Sequence, residues 1–579
     1  MDTRRLRPEV EKGRSAELLR RLRGLSLVFC LSALYSCRRR GETSFSQDRS
    51  VHCCSQVEAV SFILLLITFF FSLVFVFFWG QAKNDYNDFD WFNFGHMGFW
   101  FSWSLLLLAI AVGLFIYMSM LVLLAVCLLV ERQKLFLHWS HKVGLLVTLL
   151  FSVVATAVLS ALWSQEWTTL LLSFQITAPF LHVSGVLLMT SLAWPVALYF
   201  FCLRTPARRA AILSVYLTLL SALYLLPLAF HSPCLRDRAT LPPPPALFGH
   251  RGAPMLAPEN TMMSFQKAVE TGSDGLETDV TISWDGVPFL MHDQTLRRTT
   301  NVQQVFPDRT NSEAADFTWE ELQNLDAGSW FLNDDPFGSV GSLGSSERVE
   351  VANQSVCSLL DFLQLAARTG QLVIFDLYRP PKGHPYRDSW IHQILEVIQI
   401  QSSIPSAQVL WLPSHLRPLV QQMDPDLQQT TGSLLSPEQI QENNIVRLNL
   451  HYRHMSASLV SNYSALNVST NLYVVSEPWI YSLAWCSGVH SVTTNAPHLL
   501  HTLKRPLFLM SPAEFRALWV GTDLVSLILI ILIFLWQRRR HTREQDSMNG
   551  SILNIGTYHW SRPEPESNLD DGGHTQTQR

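Results

Sequence analysis

Apolar residues crowd the two ends of this chain and are dispersed between them. Five long runs occupy the first 231 residues, at about 59–79 ("AVSFILLLITFFFSLVFVFFW"), 105–130, 143–162, 180–201 and 211–230. A sixth covers about 518–536. Each reaches the roughly 20 residues that a helix needs to cross a bilayer, so six transmembrane helices are expected. The run 25–35 is too short to span. Cys37-Arg38-Arg39-Arg40 follows it where a cleaved signal would carry small residues, so it reads as an interfacial or buried segment.

Between 232 and 517 the pattern changes. After a proline-rich tether ("HSPCLRDRATLPPPP"), short apolar runs recur, each followed by helical spacing. Strands are expected at 246–249, 275–282, 287–291, 371–376, 408–412, 445–450, 471–475 and 490–494. Helices are expected at 261–271, 356–368, 389–401, 456–464 and 479–487. Alternation of strand and helix over this length predicts a parallel α/β domain, and a TIM barrel fits. An open doubly wound sheet competes, but no GxGxxG follows the first strand. Residues 301–351, rich in Ser, Asp and Gly, break the alternation and read as an insertion between early strands.

Charge orients the spans. Arg4, Arg5, Arg7, Arg20, Arg21, Arg23 and Arg38 to Arg40 precede the first. Arg132, Lys134 and Lys142 follow the second, Arg204, Arg208 and Arg209 the fourth, and "QRRRHTR" the sixth. Basic loops face the cytoplasm. The alternate loops, "AKNDYNDFDWFNF" and "WSQEWTTLLLSFQ", are acidic or free of Lys and Arg. The expected organisation is therefore a cytoplasmic segment 1–58, five spans in 59–231, an extracellular or lumenal barrel 232–517, a sixth span 518–536 and a disordered cytoplasmic tail 537–579. A multi-pass protein of the plasma membrane or secretory pathway, with both termini cytoplasmic, is expected. Sequons at Asn353, Asn462 and Asn467 lie on the outer side and are candidate glycosylation sites, whereas Asn549 falls inside. Cys234, Cys357 and Cys486 face the oxidising side, and their odd number leaves at least one free or paired elsewhere. Cys30, Cys37, Cys53 and Cys54 beside basic residues suit S-palmitoylation.

Composition excludes some classes. A net charge of −4 gives no support to nucleic-acid binding. Transport is disfavoured because ionisable residues are nearly absent from the spans. The chemistry gathers at expected strand ends, where TIM barrels carry their sites. The first ends in His250-Arg251. The next carries Glu277 and Asp279, two apart and so on one face. Then come His292-Asp293 and Asp376. Two carboxylates on one face repel unless a cation lies between them, and oxygen ligands favour Mg²⁺ or Ca²⁺. Two histidines can serve as base and acid, and Arg251 can bridge phosphate oxygens. Taken singly, each group could be a solvated loop, an exposed strand face, a turn or an ion pair.

The stretch "HRGAPMLAPENTMMSFQKAVETGSDGLETDVTISWDGVPFLMHDQTLRRTTN" resembles the signature of the glycerophosphodiester phosphodiesterase family, as does "LDAGSWF" further on. The membrane pattern is similar to the multi-spanning branch of that family. The resemblance covers about 246–503 and implies a metal-dependent TIM-barrel hydrolase. It implies His250 and His292 as general base and acid, and Arg251 as a phosphate contact. Asn260 of the ENT motif and Arg379 stand as further substrate contacts. Glu277, Asp279, His292 and Asp376 stand as metal ligands. The implied substrate is a glycerophosphodiester; an anchored lipid such as a glycosylphosphatidylinositol is the variant suggested by a domain tethered close to the bilayer. A catalytically weak signalling receptor is the alternative, and protein partners are not specified. The family usually has Glu and then Lys where this chain has Asp376 and Tyr378. Its "TD.P" reads Thr494-Asn495-Ala496-Pro497 here.

Overall fold

The computed structural model describes residues 33–36, 56–130, 133, 135–164, 166–203 and 205–557. The reading of 25–35 touches only its last residues. The four N-terminal cysteines and the tail beyond 557 lie outside the description, and the part of the tail that is described, expected to be disordered from 537, continues the helix Pro512–Thr557.

Six helices among the described residues are long and apolar enough to cross a membrane. They lie within Val60–Met97, Trp103–Leu129, Trp139–Leu162, Glu166–Cys202, Pro206–Ala229 and Pro512–Asp546. Two departures from the pattern matter. The first apolar helix, Gln56–Gln81, runs through a 3-10 turn at Ala82–Asp85 into a second helix, Tyr86–Met97, where an acidic loop was expected. The fourth begins at Glu166, well before residue 180. Its early Ser and Thr hydroxyls bond backward along the helix, Ser173 to Leu170 O and Thr177 to Ser173 O. Leu172 and Ile176 are buried in the same apolar cluster as Leu450, Leu472 and Val492 of the barrel. Packing thus decides what local polarity obscured.

The chain forms two compact units. The smaller comprises 183–226 and 520 onward. Its core joins Ala193, Tyr216, Leu220 and Ile530, and the Ser526 hydroxyl pairs with Thr190 (2.6 Å) and Tyr224 (2.7 Å). The larger holds the first three apolar helices, the start of the fourth and the α/β domain.

That domain has nine strands among the described residues: β1 Ala246–His250, β2 Gly275–Ile282, β3 Pro288–Leu290, β4 Leu372–Leu377, β5 Val409–Trp411, β6 Gln428–Thr431, β7 Arg447–His451, β8 Ser469–Tyr473 and β9 Ser491–Thr494. All but β3 are parallel, and β1 pairs with both β2 and β9, which closes an eight-stranded TIM barrel. β3 pairs antiparallel with β2, so the run expected at 287–291 lies outside the barrel wall. The eighth wall strand is β6, "QQTT", which has no apolar residue to announce it. It belongs there because the barrel interior is partly polar. Inside, Asn471 donates to Asn449 (2.7 Å) and Thr493 (2.9 Å), and on the helix side of β6 Arg417 donates to Gln429 Oε1 (2.9 Å). The insertion lies between β3 and β4 as short helices, among them Trp319–Gln323, Ser329–Asp334 and Ser345–Ala352. Cys234 and Cys486 form a disulfide that ties the tether to the Pro478–Cys486 helix, and Cys357 is buried and free.

Candidate active site

Strand register gathers the titratable groups. His250 lies opposite Glu277 across β1 and β2, and Asp279 lies opposite Asp376 across β2 and β4. After His250 the chain must turn sharply. Arg251 takes a left-handed φ of 53°, and Gly252 follows at 89°. A Cβ at Gly252 would come within 2.4 Å of Ser264, so only glycine permits this approach. The turn is held by its own backbone: Arg251 N donates to Glu277 (2.9 Å), and Arg251 O accepts from Asn260 N (3.1 Å) and the Ser264 hydroxyl (3.0 Å).

His250, Arg251, Glu277, Asp279, His292, Asp293 and Asp376 line one cavity of about 680 Å³. Carboxylate oxygens of Glu277, Asp279 and Asp376 all lie within 4.8 Å of one another. Such a cluster of hard oxygen donors fits a divalent cation of the Mg²⁺ or Ca²⁺ kind. Its electrostatics agree. Burial, with Asp279 and Asp376 beside it, pushes Glu277 well above the usual carboxylate range. Burial and Asp279 push Asp376 up to about 6. Burial also works against the Asp279 charge, but Arg251, His292 and His250 outweigh it and hold that carboxyl low. His292 stands outside the three-carboxylate group.

Each histidine is fixed at one nitrogen. His250 Nδ1 donates to Asn495 Oδ1 (2.6 Å), which leaves Nε2 as the acceptor, 3.8 Å from Glu277. Burial and Arg251 push His250 down to about 3, so its imidazole is neutral and able to take a proton. His292 Nδ1 pairs with Asp293 (2.8 Å).

A search against known families matches residues 250–380 to the glycerophosphoryl diester phosphodiesterase family. Glycerophosphodiester phosphodiesterase domain-containing protein 5 of Gallus gallus is 44% identical over 508 residues, 88% of this chain and 84% of that protein. The glycerophosphoinositol inositolphosphodiesterase of Mus musculus is 41% identical over 529 residues, 90% of this chain and 96% of that protein. Domain-containing protein 4 of Mus musculus is 38% identical over 530 residues, 87% and 84% of the two chains. The chain belongs to the glycerophosphoryl diester phosphodiesterase family. It is accordingly a phosphoric diester hydrolase.

Within this phosphodiesterase the ENT and RTT motifs have a shared purpose. Arg298 is buried and forks onto Glu259 (2.6 Å) and Asp293 (2.6 Å). Glu259 in turn holds Arg251 (3.0 Å), and Asp293 holds His292. Arg251 also lies 3.1 Å from Asp279. Burial works against the Arg251 charge, but Glu259 and Asp279 outweigh it and raise its pKa. Asn260, read from sequence as a substrate contact, instead bonds Asp279 (3.1 Å) and accepts from Thr278 (2.8 Å). Arg379, read likewise, is half-exposed, pairs with Asp388 (2.9 Å) and does not line the cavity. Tyr378 occupies the place of the expected lysine, and its hydroxyl donates to Asp279 (3.0 Å).

Sequence reading did not single out Glu259, Arg298 or Asn495 as functional. The motifs ENT, RTT and TNAP were the available signal. It also missed Asp88 and Trp91, which line the cavity from the Tyr86–Met97 helix.

Proposed function

We propose that the protein hydrolyses glycerophosphodiesters in a metal-dependent reaction at the outer face of a membrane, releasing an alcohol and a glycerol phosphate. The observation that carries this reading is the convergence of His250, Arg251, Glu277, Asp279, His292 and Asp376 on one cavity at one end of the barrel. Glu277, Asp279 and Asp376 would hold Mg²⁺ or Ca²⁺. When bound, that ion supplies positive charge beside the phosphoryl oxygens.

The remaining work falls to side chains. Arg251, braced by Glu259, offers its guanidinium to the phosphate. His250 Nε2 accepts the proton of the attacking hydroxyl, from water or from the glycerol itself, while Asn495 fixes its tautomer. His292, oriented by Asp293, returns a proton to the departing alcohol oxygen. Water attacking directly adds across one P–O bond; attack by the glycerol hydroxyl instead expels the alcohol and leaves a cyclic phosphate that water then opens, so on either route the balance is diester plus water to alcohol plus phosphomonoester.

The outward orientation rests on the basic loops and on two further supports. The Cys234–Cys486 disulfide suits an oxidising compartment, and Asn353, Asn462 and Asn467, the proposed glycosylation sites, are exposed. A second reading within the same chemistry is release of glycosylphosphatidylinositol-anchored proteins. It is favoured by the cavity wall contributed by a helix continuous with an apolar one. A panel of glycerophosphocholine, glycerophosphoinositol, lysophospholipid and an anchored protein, offered to the full chain in membranes, tests both readings. Cleavage of a soluble diester supports the first, and cleavage of the anchored protein alone supports the second. Cleavage of none overturns both.

A further inference from the structure

Asp85, Asp88 and Asp90 belong to one short acidic, aromatic stretch, yet the structure treats them differently. Asp85 is buried, pairs with Arg453 (2.8 Å) and accepts from the Tyr452 hydroxyl. Asp90 is buried and caps the next helix, accepting from Ser104 N (2.8 Å) and the Ser104 hydroxyl (2.6 Å). Asp88 makes no hydrogen bond or ion pair among the described residues and lines the active-site cavity. Helical spacing explains the division. Asp88, Trp91, Phe92 and Gly95 stand at i, i+3, i+4 and i+7, so they share the face of the Tyr86–Met97 helix that meets the cavity.

The helix is anchored as a fixed wall. Asn84 donates to Val474 O (3.1 Å) and accepts from Ser476 N (2.8 Å) beyond β8, and the Arg298 guanidinium lies 4.6 Å from the Trp91 ring centre. The arginines that line the cavity have other partners: Arg251 and Arg298 are held by Glu259, Asp279 and Asp293, and Arg297 donates to Gly98 O (3.5 Å) and lies 6.0 Å from the Phe94 ring centre. A carboxylate that pairs with none of them, in a cavity read as receiving a phosphodiester, is complementary to positive charge on the ligand.

We propose that Asp88 selects the alcohol portion of the substrate by charge, favouring an ammonium-bearing headgroup over a neutral polyol and disfavouring one with an added carboxylate. This rests on the reading of the cavity as a diesterase site. It makes a residue from outside the barrel a determinant of specificity.

The test is competition between substrates in one reaction, because the ratio of kcat/KM values is independent of the fraction of folded protein. Full-length protein in detergent micelles with Mg²⁺ or Ca²⁺ is given glycerophosphoethanolamine, glycerophosphocholine, glycerophosphoglycerol and glycerophosphoserine. Wild type should prefer the first two over glycerophosphoglycerol. Asp88→Asn should lower that preference about tenfold, mainly through KM, as loss of one partly screened charge pair would. Asp88→Lys should reverse it in favour of glycerophosphoserine, and Asp88→Glu should retain the wild-type order. If only glycerophosphoethanolamine is favoured, a hydrogen bond and not charge is responsible, and the proposal is overturned as stated. Unchanged ratios in Asp88→Asn and Asp88→Lys overturn it while leaving the diesterase reading intact. Failure of wild type to cleave any of the four overturns both.

Discussion

His250 is held by two neighbours with different consequences. Glu277 stands near Nε2, where the proton is to be taken, and Asn495 fixes Nδ1 on the far side of the ring. Removing the Asn495 amide frees the ring to adopt the other tautomer. Asn495→Ala should lower kcat by about one to two orders of magnitude with a smaller change in KM, while Asn495→Asp, which still accepts from Nδ1, should retain most activity. Steady-state kinetics on the two variants decide this, and equal loss in both would contradict it. The Arg298 fork makes a separate prediction about acid. Burial opposes the Glu259 charge, but Arg298 and Arg251 outweigh it and bring its pKa from 4.5 to about 2. A depressed carboxylate contributes stability above its unfolded value and loses it as pH falls toward the folded one. The stability gap between wild type and Glu259→Gln should therefore be full above about pH 5 and narrow from pH 4.5 downward. Thermal melts across that range measure it, and a gap that does not change with pH would contradict the assignment. At this scale the sequence was informative where motif and strand end coincide, as at His250, Glu277 and Asp279. It read Asn260 and Arg379 as substrate contacts, whereas they bond Asp279 and Asp388, because whether a polar side chain faces the cavity or a neighbour depends on loop geometry that spacing does not encode.

Among elements, the Tyr86–Met97 helix has the largest consequence for function. Trp91 covers the Arg298 guanidinium, and Arg298 braces both Asp293 and Glu259. Trp91→Ala removes that cover and exposes the fork to water. We expect kcat/KM to fall about tenfold, with Trp91→Phe restoring most of it because a ring face remains. Comparison of the two variants by kinetics and by thermal melting checks this. A loss of melting temperature with unchanged kinetics would make Trp91 merely structural. The helix escaped sequence reading because its acidic residues resembled a solvated loop, whereas two of the three are buried against specific partners. β6 escaped for the opposite reason. Its side chains are polar because part of the barrel interior is polar, and alternation of apolar residues cannot signal such a strand. The apolar barrel strands were legible to within one or two residues, since β-branched and aromatic runs bounded by turn residues identify buried parallel strands.

For the whole molecule, six apolar helices and a barrel of the glycerophosphoryl diester phosphodiesterase family share one chain. The proposed orientation predicts that Asn353→Gln, Asn462→Gln and Asn467→Gln each remove one glycan increment on gels of protein made in a secretory system. Glycan on Asn549 instead would reverse the topology. Span count was legible because hydropathy over 20 residues is a strong signal, but helix ends were not, since Glu166 and Tyr86 begin helical turns whose polarity hides them. The central claim is that three carboxylates hold a divalent ion beside a histidine base at the barrel mouth. Its most direct measurement is release of glycerol phosphate from glycerophosphocholine, glycerophosphoethanolamine and glycerophosphoinositol by the purified full chain, before and after chelation and re-addition of Mg²⁺ or Ca²⁺. The account predicts activity that chelation abolishes and either ion restores, and that falls at least a hundredfold in Glu277→Ala and His250→Ala. Turnover that survives chelation, or that equals wild type in those variants, would contradict it.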